Sequence, residues 1–526
     1  MKKHTKAAVL MMSAVMAFGV AGGLAGCGSK GPDTSPDVLN IRMPDHGYGT
    51  DWMKALANGF KAKYGNEVNV SIIPPGVNIA VEIRSGTSGY DIYAERYAAH
   101  QMVAQQVDLG GGNVIDKILA DLTDLYETEI PGEDVTFGEK LLPTYEQANR
   151  FREPNGDVGY YGVQWCDSTA GIVRNLDVWE EGWGIPNTTD ELVALCDTIQ
   201  KGGKTPFIWS SQASYWDSTR TLWAYQYQGY DDMMKFWECL DANDEFSPLM
   251  WQREGWLEAL KVMDVLLDPA NAYQHAVSRS VDFTTAQGYI LAPSQKVAMM
   301  ANGDWLYKEM AKNYSSARIE MIKTPVISAI IDVLPDKSVA DDAELSALIK
   351  AIDAGSPALS GTGYLVTQDD FDRVKEARLM SPSVNINHQL IVPSYSTSIE
   401  LAKKFMLYMA SEEGLKLYAS IDGFSLPFKA SADVRAVLDS KANSFVKSTN
   451  AIKLDGIMVP TYNPSHRMFS VGGMPYKPTY QLPSSEPELI LCLKGETGYM
   501  SPQTIYDTNY QNVFNQWGAI RARAGV

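Results

Sequence analysis

The sequence predicts an α/β fold divided between two domains of ordinary size, and three observations predict it. The mature chain, residues 27–526 once a leader is removed, is too long for one compact core. Its first structured stretch reads strand, helix, strand, the opening of a βαβ unit and hence of a parallel sheet. Apolar residues make up 45% of the chain and charged ones 21%, the balance of a soluble globular body.

The leader comes first. Lys2, Lys3 and Lys6 form a basic n-region, residues 7–24 an apolar h-region, and Leu24-Ala25-Gly26-Cys27 a small-residue cleavage site ending at cysteine. This arrangement resembles a bacterial lipoprotein signal peptide, which implies cleavage before Cys27, lipidation of its sulfur and anchorage outside the cytoplasmic membrane. The competing reading is a transmembrane anchor with a chance cysteine, but Gly19, Gly22 and Gly23 dilute a run barely long enough to span. Residues 28–37 (GSKGPDTSPD) are polar and rich in Pro, Gly and Ser, a flexible tether.

Leu39 to Met43 alternates like a strand; Trp52, Leu56, Phe60 and Tyr64 recur at helical spacing; Val68, Val70 and Ile72 alternate again. Thr188 and Glu191 have the spacing of a capping box before a helix that buries Leu192, Leu195 and Ile199. Residues 399–419 form the clearest amphipathic helix, with Leu401, Phe405, Tyr408 and Met409 on one stripe and Lys403, Lys404, Glu412 and Glu413 off it. There is no internal repeat, no low-complexity segment and no second apolar run of membrane-spanning length.

Charge narrows the partners. The full chain carries 45 Lys+Arg against 63 Asp+Glu, a net −18; the leader holds three lysines and no acid, so the mature chain stands at −21. Such a surface repels phosphate backbones and argues against nucleic acid. With Cys27 assigned to lipid, Cys166, Cys196, Cys239 and Cys492 are scattered, without CxxC or Cys/His spacing. Their state, paired or as buried thiols, stays open. Six histidines show no HExxH and no close pair, so neither a zinc site nor any other cofactor is expected.

Several segments, in order, resemble the extracellular solute-binding proteins of sugar ABC importers. They are Gly89-Tyr90-Asp91-Ile92, Leu122-Thr123-Asp124-Leu125, Tyr161 to Trp165 leading into Ile172 to Trp179, and Gly184 to Leu192. Lys296 to Trp305, Ala402 to Gly414, Gly423 to Pro427 and Lys494 to Pro502 complete the set, which covers most of residues 40–515. No single piece is specific; the ordered set behind a lipobox is. The chain departs from the pattern where Gln164-Trp165 replaces a proline, where Arg174 replaces an aromatic before Asn175, and where Gln368 to Ser398 separates Gly361-Thr362-Gly363 from the long helix.

The resemblance implies a two-lobe, periplasmic-binding-protein-like α/β fold with a hinge and an interlobe ligand cleft that closes on its guest. The expected division is residues 1–26 signal peptide and 27–37 lipidated cysteine and tether. Lobe 1 is then 38–163 plus 324–412, and lobe 2 is 164–323 plus 413–526. Hinge crossings are expected near 163–166, 323–325 and 410–414.

Twelve Trp and 27 Tyr suit a sugar cleft, because sugar faces pack on aromatic rings while hydroxyls need paired donors and acceptors. The expected ligand-binding residues are Trp165 at a lobe boundary, Trp305 with Asp304 beside it, and Trp216 in a polar loop. Asp91 at a strand end and Tyr364 after Gly361-Thr362-Gly363 join them. Each has a plainer alternative: a tryptophan in a fold of this size is more often core, and Asp91 caps a helix. Residues 460–483, rich in Tyr, Pro and Gly, read equally as a cleft rim or a strap.

The leading expectation is therefore a lipid-anchored, monomeric, extracytoplasmic receptor, not an enzyme, that passes a carbohydrate to the permease subunits of an ABC importer. Its rivals are a surface glycan-capture or adhesion module without a transporter, and an exported glycoside hydrolase, which needs two carboxylates across a scissile bond.

Overall fold

Two mixed sheets organise the chain. The computed structural model describes residues 34–45, 47–74, 77–95, 99–103, 105–210, 215–357, 363, 365–478 and 498–526. The leader, Cys27, most of the tether, Tyr364 and Cys492 lie outside the described residues.

The strands of the sheets are β1 (Val38–Pro44), β2 (Glu67–Ile73), β3 (Ile92–Glu95), β4 (Val163–Gln164), β5 (Ser168–Asn175), β6 (Thr205–Phe207), β7 (Val297–Gly303), β8 (Ile319–Ile322), β9 (Met380–Val384), β10 (Gln389–Ile391) and β11 (Ile457–Pro460). The first sheet runs β2-β1-β3-β10-β4; the second runs β6-β7-β5-β9-β11, with β8 also on β5. β1 pairs in parallel with β2 from Val38–Glu67 to Pro44–Ile73 and with β3, so the predicted βαβ opening forms.

Both sheets are covered on each face, because successive strand residues point to opposite sides. Ile41, Ile92 and Leu390 enter one core while Tyr93 and Ile391 enter another. In the second sheet Ile172 and Met299 face one core, Val173 and Met300 the other.

The helices that matter for the site are α1 (Asp51–Tyr64), α2 (Thr189–Lys201), α3 (Trp216–Gln228), α4 (Leu306–Tyr314), α5 (Ile399–Ala410), α6 (Glu412–Ala419), α7 (Ser444–Lys453) and α8 (Pro502–Ala524). α1 buries Trp52, Leu56 and Phe60 of the predicted stripe, leaves Tyr64 half-buried, and stops at Gly65, whose φ of 80° lets its N–H reach the Lys61 carbonyl. In α2, Thr188 caps the Glu191 N–H at 3.2 Å, but the Glu191 carboxylate reaches one residue beyond the expected box, to the Asn187 N–H at 2.7 Å. The predicted helix over 399–419 is two helices. Ser411 ends α5 and caps α6 by accepting from the Gly414 N–H.

The chain passes between the sheets through residues 165–167 and 385–388, the links β4–β5 and β9–β10, and returns ahead of α7, which packs on β8 and β5 of the second sheet. Only the first lies near an expected crossing. Residues 326–380 contribute Val326, Leu345, Phe371 and Met380 to the core of the second sheet. Residues 386–446, through Phe405, Leu415, Phe424 and Val446, fill the core of the first. The expected boundaries at 324 and 413 are thus both displaced. The physical reason is that apolar helices on the two sides of a crossing carry the same pattern, and periodicity does not say which sheet a helix covers.

Candidate functional site

Parallel strands of open α/β sheets present ligands at their carboxyl ends. Here β1 and β3 of the first lobe end at Pro44 and Glu95, while the parallel pair β6 and β7 of the second ends at Phe207 and Gly303. The two sets of ends face each other. Gly47, beyond β1, lies so close to Trp305, beyond β7, that a Cβ built on it stands 3.0 Å from the Trp305 Cβ. Tyr48 donates to Asp304 Oδ1 at 2.5 Å across the same gap.

Trp305 is the N-cap residue of α4, half-buried, with Tyr215 5.7 Å from its ring at an interplanar angle of 60°. Tyr215 is itself the N-cap residue of α3 and is also partly open. Two aromatic rings, each at a helix start beyond a strand end, thus stand together at the facing strand ends. Rings so placed offer the apolar faces on which sugar C–H groups pack.

The other predicted residues are placed differently. Trp165 is fully buried on the first crossing, stacked on Trp52 with centroids 5.4 Å apart and tilted against His388 at 5.0 Å. It fills the first-lobe core. Trp216 is buried against Phe207 at 5.0 Å, so its ring fills the second-lobe core and presents no open face. Asp91 precedes β3, four residues from the strand end that faces the cleft. There it accepts from the Asn40 N–H at 2.8 Å and from Ser396 Oγ at 2.7 Å, fixing β1 to the segment after β10.

Asp304 stands at the correct strand end, yet its side chain is wholly buried in a hinge network that sequence reasoning missed. Lys453 Nζ, at the end of α7, lies 3.1 Å from Asp304 Oδ2, 2.6 Å from the Asp167 carbonyl oxygen and 3.9 Å from Asp167 Oδ2. Tyr145 and Ser425 hydroxyls each donate to the Asp167 carboxylate at 2.9 Å. Burial pushes the Asp304 carboxyl up, with Lys453 and Tyr48 opposing. Burial also works against the Lys453 ammonium, but Asp304 and Asp167 outweigh it, and the amine holds its proton more tightly than a solvated lysine. The network joins the first crossing, the end of β7 and the end of α7. No local signal marks it, since Asp167, Asp304 and Lys453 are brought together only by the topology.

Two open grooves of about 750 and 690 Å³ share Lys117, Asp121 and Tyr161. The larger includes Ser394 and Ser396, which follow β10 at the end of the sheet where β3 begins, away from the facing strand ends. Three thiols, Cys166, Cys196 and Cys239, are free and buried. Among the described residues no group of three or more His, Cys, Asp or Glu is arranged to hold a metal ion, and no helix is long and apolar enough to cross a membrane.

The sequence profile of the family described as bacterial extracellular solute-binding protein matches residues 46–416. No curated relative matches by sequence. Among solved structures, the GacH receptor of Streptomyces glaucescens GLA.O, determined unliganded and in complex with acarbose and an acarbose homolog, is similar with a TM-score of 0.55 and 16% identity; the match covers 91% of this chain and 97% of that one. RafE from Streptococcus pneumoniae, in its apo form, has a TM-score of 0.53 and 14% identity over 92% of this chain and 99% of its own. RafE in complex with raffinose has a TM-score of 0.51 and 13% identity over 91% and 99%. At these identities the likeness is one of fold: two α/β lobes, a hinge and a cleft between them.

Proposed function

The chain belongs to the bacterial extracellular solute-binding proteins, and from that premise we propose that it captures a carbohydrate, in oligosaccharide form, and hands it to the permease subunits of an ABC importer. It does so as a monomer held at the outer face of the membrane by lipid on Cys27, and carries out no covalent chemistry. The observation that carries the ligand class is the half-open Trp305–Tyr215 pair at the facing strand ends. A flat aromatic wall beside a polar strand edge suits a sugar ring better than an amino acid or a bare ion. The ligands of GacH and RafE, acarbose and raffinose, agree with that class.

Affinity and closure are then the whole function. Lobe closure draws its free energy from contacts that exist only in the closed form. The test is a thermal-shift screen of the full chain in mild detergent against neutral and acidic mono- and oligosaccharides, amino acids and peptides. A ligand at a hundredfold over its Kd adds about 2.7 kcal/mol of stability. Trp305→Ala should weaken the sugar that binds by at least about tenfold, on the order of 2 kcal/mol for an aromatic anchor. Stabilisation by amino acids or peptides with none by any saccharide would overturn the ligand class.

A further inference from the structure

The first turn of α3 gathers polar atoms that the protein itself leaves unanswered. Arg220 is completely buried, and its Nε, Nη1 and Nη2 have no hydrogen-bond partner. Trp216 Nε1 and Thr219 Oγ1, in the same turn, are buried and unpartnered as well. Helical side chains lean toward the helix N-terminus, which carries the guanidinium back over the opening turn. Its Nη2 indeed stands 3.3 Å from Asp217 Oδ1, an ion pair without hydrogen-bond geometry.

Asp217 does not neutralise this site, because it is shared. Lys477, only 10% exposed, pairs with the other oxygen of the same carboxylate. Among the described residues, two cations answered by one carboxylate leave one positive charge in excess, in a place largely closed to water. A guanidinium keeps its proton in proteins, and a buried charge without its counter-charge costs several kcal/mol. α3 adds to the field: its N-cap residue Tyr215 supplies no side-chain cap, and the one acid of its first turn is the shared Asp217. Tyr215, at the head of the same helix, packs its ring against Trp305 at the facing strand ends.

We propose that the captured carbohydrate is an acidic one, whose oxyanion, the carboxylate of a uronate or a sulfate ester, docks on Arg220 and Lys477 at the first turn of α3. This rests on the carbohydrate reading of the same cleft and narrows it. The mature chain's net charge of −21 is no obstacle: exposed charges are screened beyond about 8 Å at physiological salt, whereas a buried cation pair is screened far less.

Calorimetric titration of the full chain tests it with trigalacturonate, the methyl ester of the same trisaccharide, galactose 6-sulfate, and neutral galactose and raffinose. The expected result is that a charged sugar binds at least tenfold tighter than its uncharged counterpart, the ester or galactose. The uronate and sulfate arms tell which oxyanion it is. Arg220→Met should abolish the preference without lowering the melting temperature, since it removes an unanswered buried charge. Lys477→Met reads the same preference independently, should the first variant fail to fold. Equal binding of charged and uncharged partners, or a preference that survives in whichever variants fold, overturns this inference and leaves the carbohydrate reading standing. Failure of every saccharide to bind takes down both.

Discussion

His100 shows how much a single buried side chain commits the fold to a pH range. Its Nε2 donates to the Arg150 carbonyl at 2.8 Å, its Nδ1 has no partner, and burial pulls its pKa down to about 4 against that backbone bond. His466 is likewise pulled to about 4, by burial first and then by the Arg152 charge, with Glu238 opposing. An unfolded histidine titrates near 6.5. Between 6.5 and 4 the unfolded chain therefore binds more protons than the folded one, so stability is fully present above 6.5 and is lost as pH falls toward 4. Each residue accounts for about 3 kcal/mol at the end of that window. His100→Gln, which keeps a donor for the carbonyl, should roughly halve the slope of the urea midpoint against pH from 7 to 4; an unchanged slope would show that His100 is not one of the groups responsible. At this scale the sequence is only partly legible. Trp305 stands out because a short motif places it just beyond a strand. Trp165 and Trp216 look equivalent in one dimension, and only packing separates a ring on a wall from a ring in a core. Asp91 lies at the opposite end of its strand from the cleft, a distinction that a four-residue strand hides. Arg220 left a faint trace: a cation inside Trp216 to Gln228, a helix otherwise dominated by aromatic and uncharged residues.

Among the elements, α5 and α6 show why a continuous apolar stripe does not guarantee a continuous helix. Ser411 can hydrogen-bond backbone N–H groups, which favours a cap over a helix interior, and Gly414 lets the second helix fold tightly back on the first. A Cβ built on Gly414 would stand 2.1 Å from the Tyr408 carbonyl oxygen and 2.7 Å from that of Met409. These are backbone atoms that no rotamer change can withdraw. Gly414→Ala should therefore cost about 1–3 kcal/mol or more, the range for overpacking a filled site. The same substitution in α8 has the opposite sign. Gly518 is exposed in a helix interior with nothing within 4 Å of an added Cβ, and Gly518→Ala should gain about 0.5–1 kcal/mol by stiffening the unfolded chain and improving helix propensity. Urea midpoints of the two variants measure both, and a shift of the same sign in each would refute the packing argument. The elements legible in the sequence are those whose signals are local: the βαβ opening, the α1 stripe, the Thr188 cap. The break at Ser411 is local too, but periodicity outweighs it on paper because the close approach at Gly414 becomes visible only in three dimensions.

The whole molecule is held at its hinge by charges that no element owns. Asp167 leads into the second sheet, Asp304 follows β7, and Lys453 ends α7. The three meet in a site with Lys453 and Asp304 both fully buried. This is also why two of the three crossings were not legible: they are fixed by which helices cover which sheet and by this long-range cluster, neither of which leaves a periodic trace. Lys453→Met tests how far the hinge depends on the cation. It keeps the length of the side chain but leaves two carboxylates with no cation in place of Lys453, and breaking a buried pair in this way costs about 3–5 kcal/mol. The pH dependence identifies the cause. Burial already raises the Asp304 carboxyl, and loss of Lys453 raises it further. A carboxyl whose folded pKa lies above its unfolded value stabilises the fold as pH falls. The penalty of the variant should therefore shrink between pH 7.5 and pH 5, while the wild type, with its buried neutral histidines, loses stability over the lower part of that interval. Urea unfolding at the two pH values reads the difference directly. A penalty of equal size at both would mean that Lys453 acts through its packing alone, and that the hinge is not held by charge.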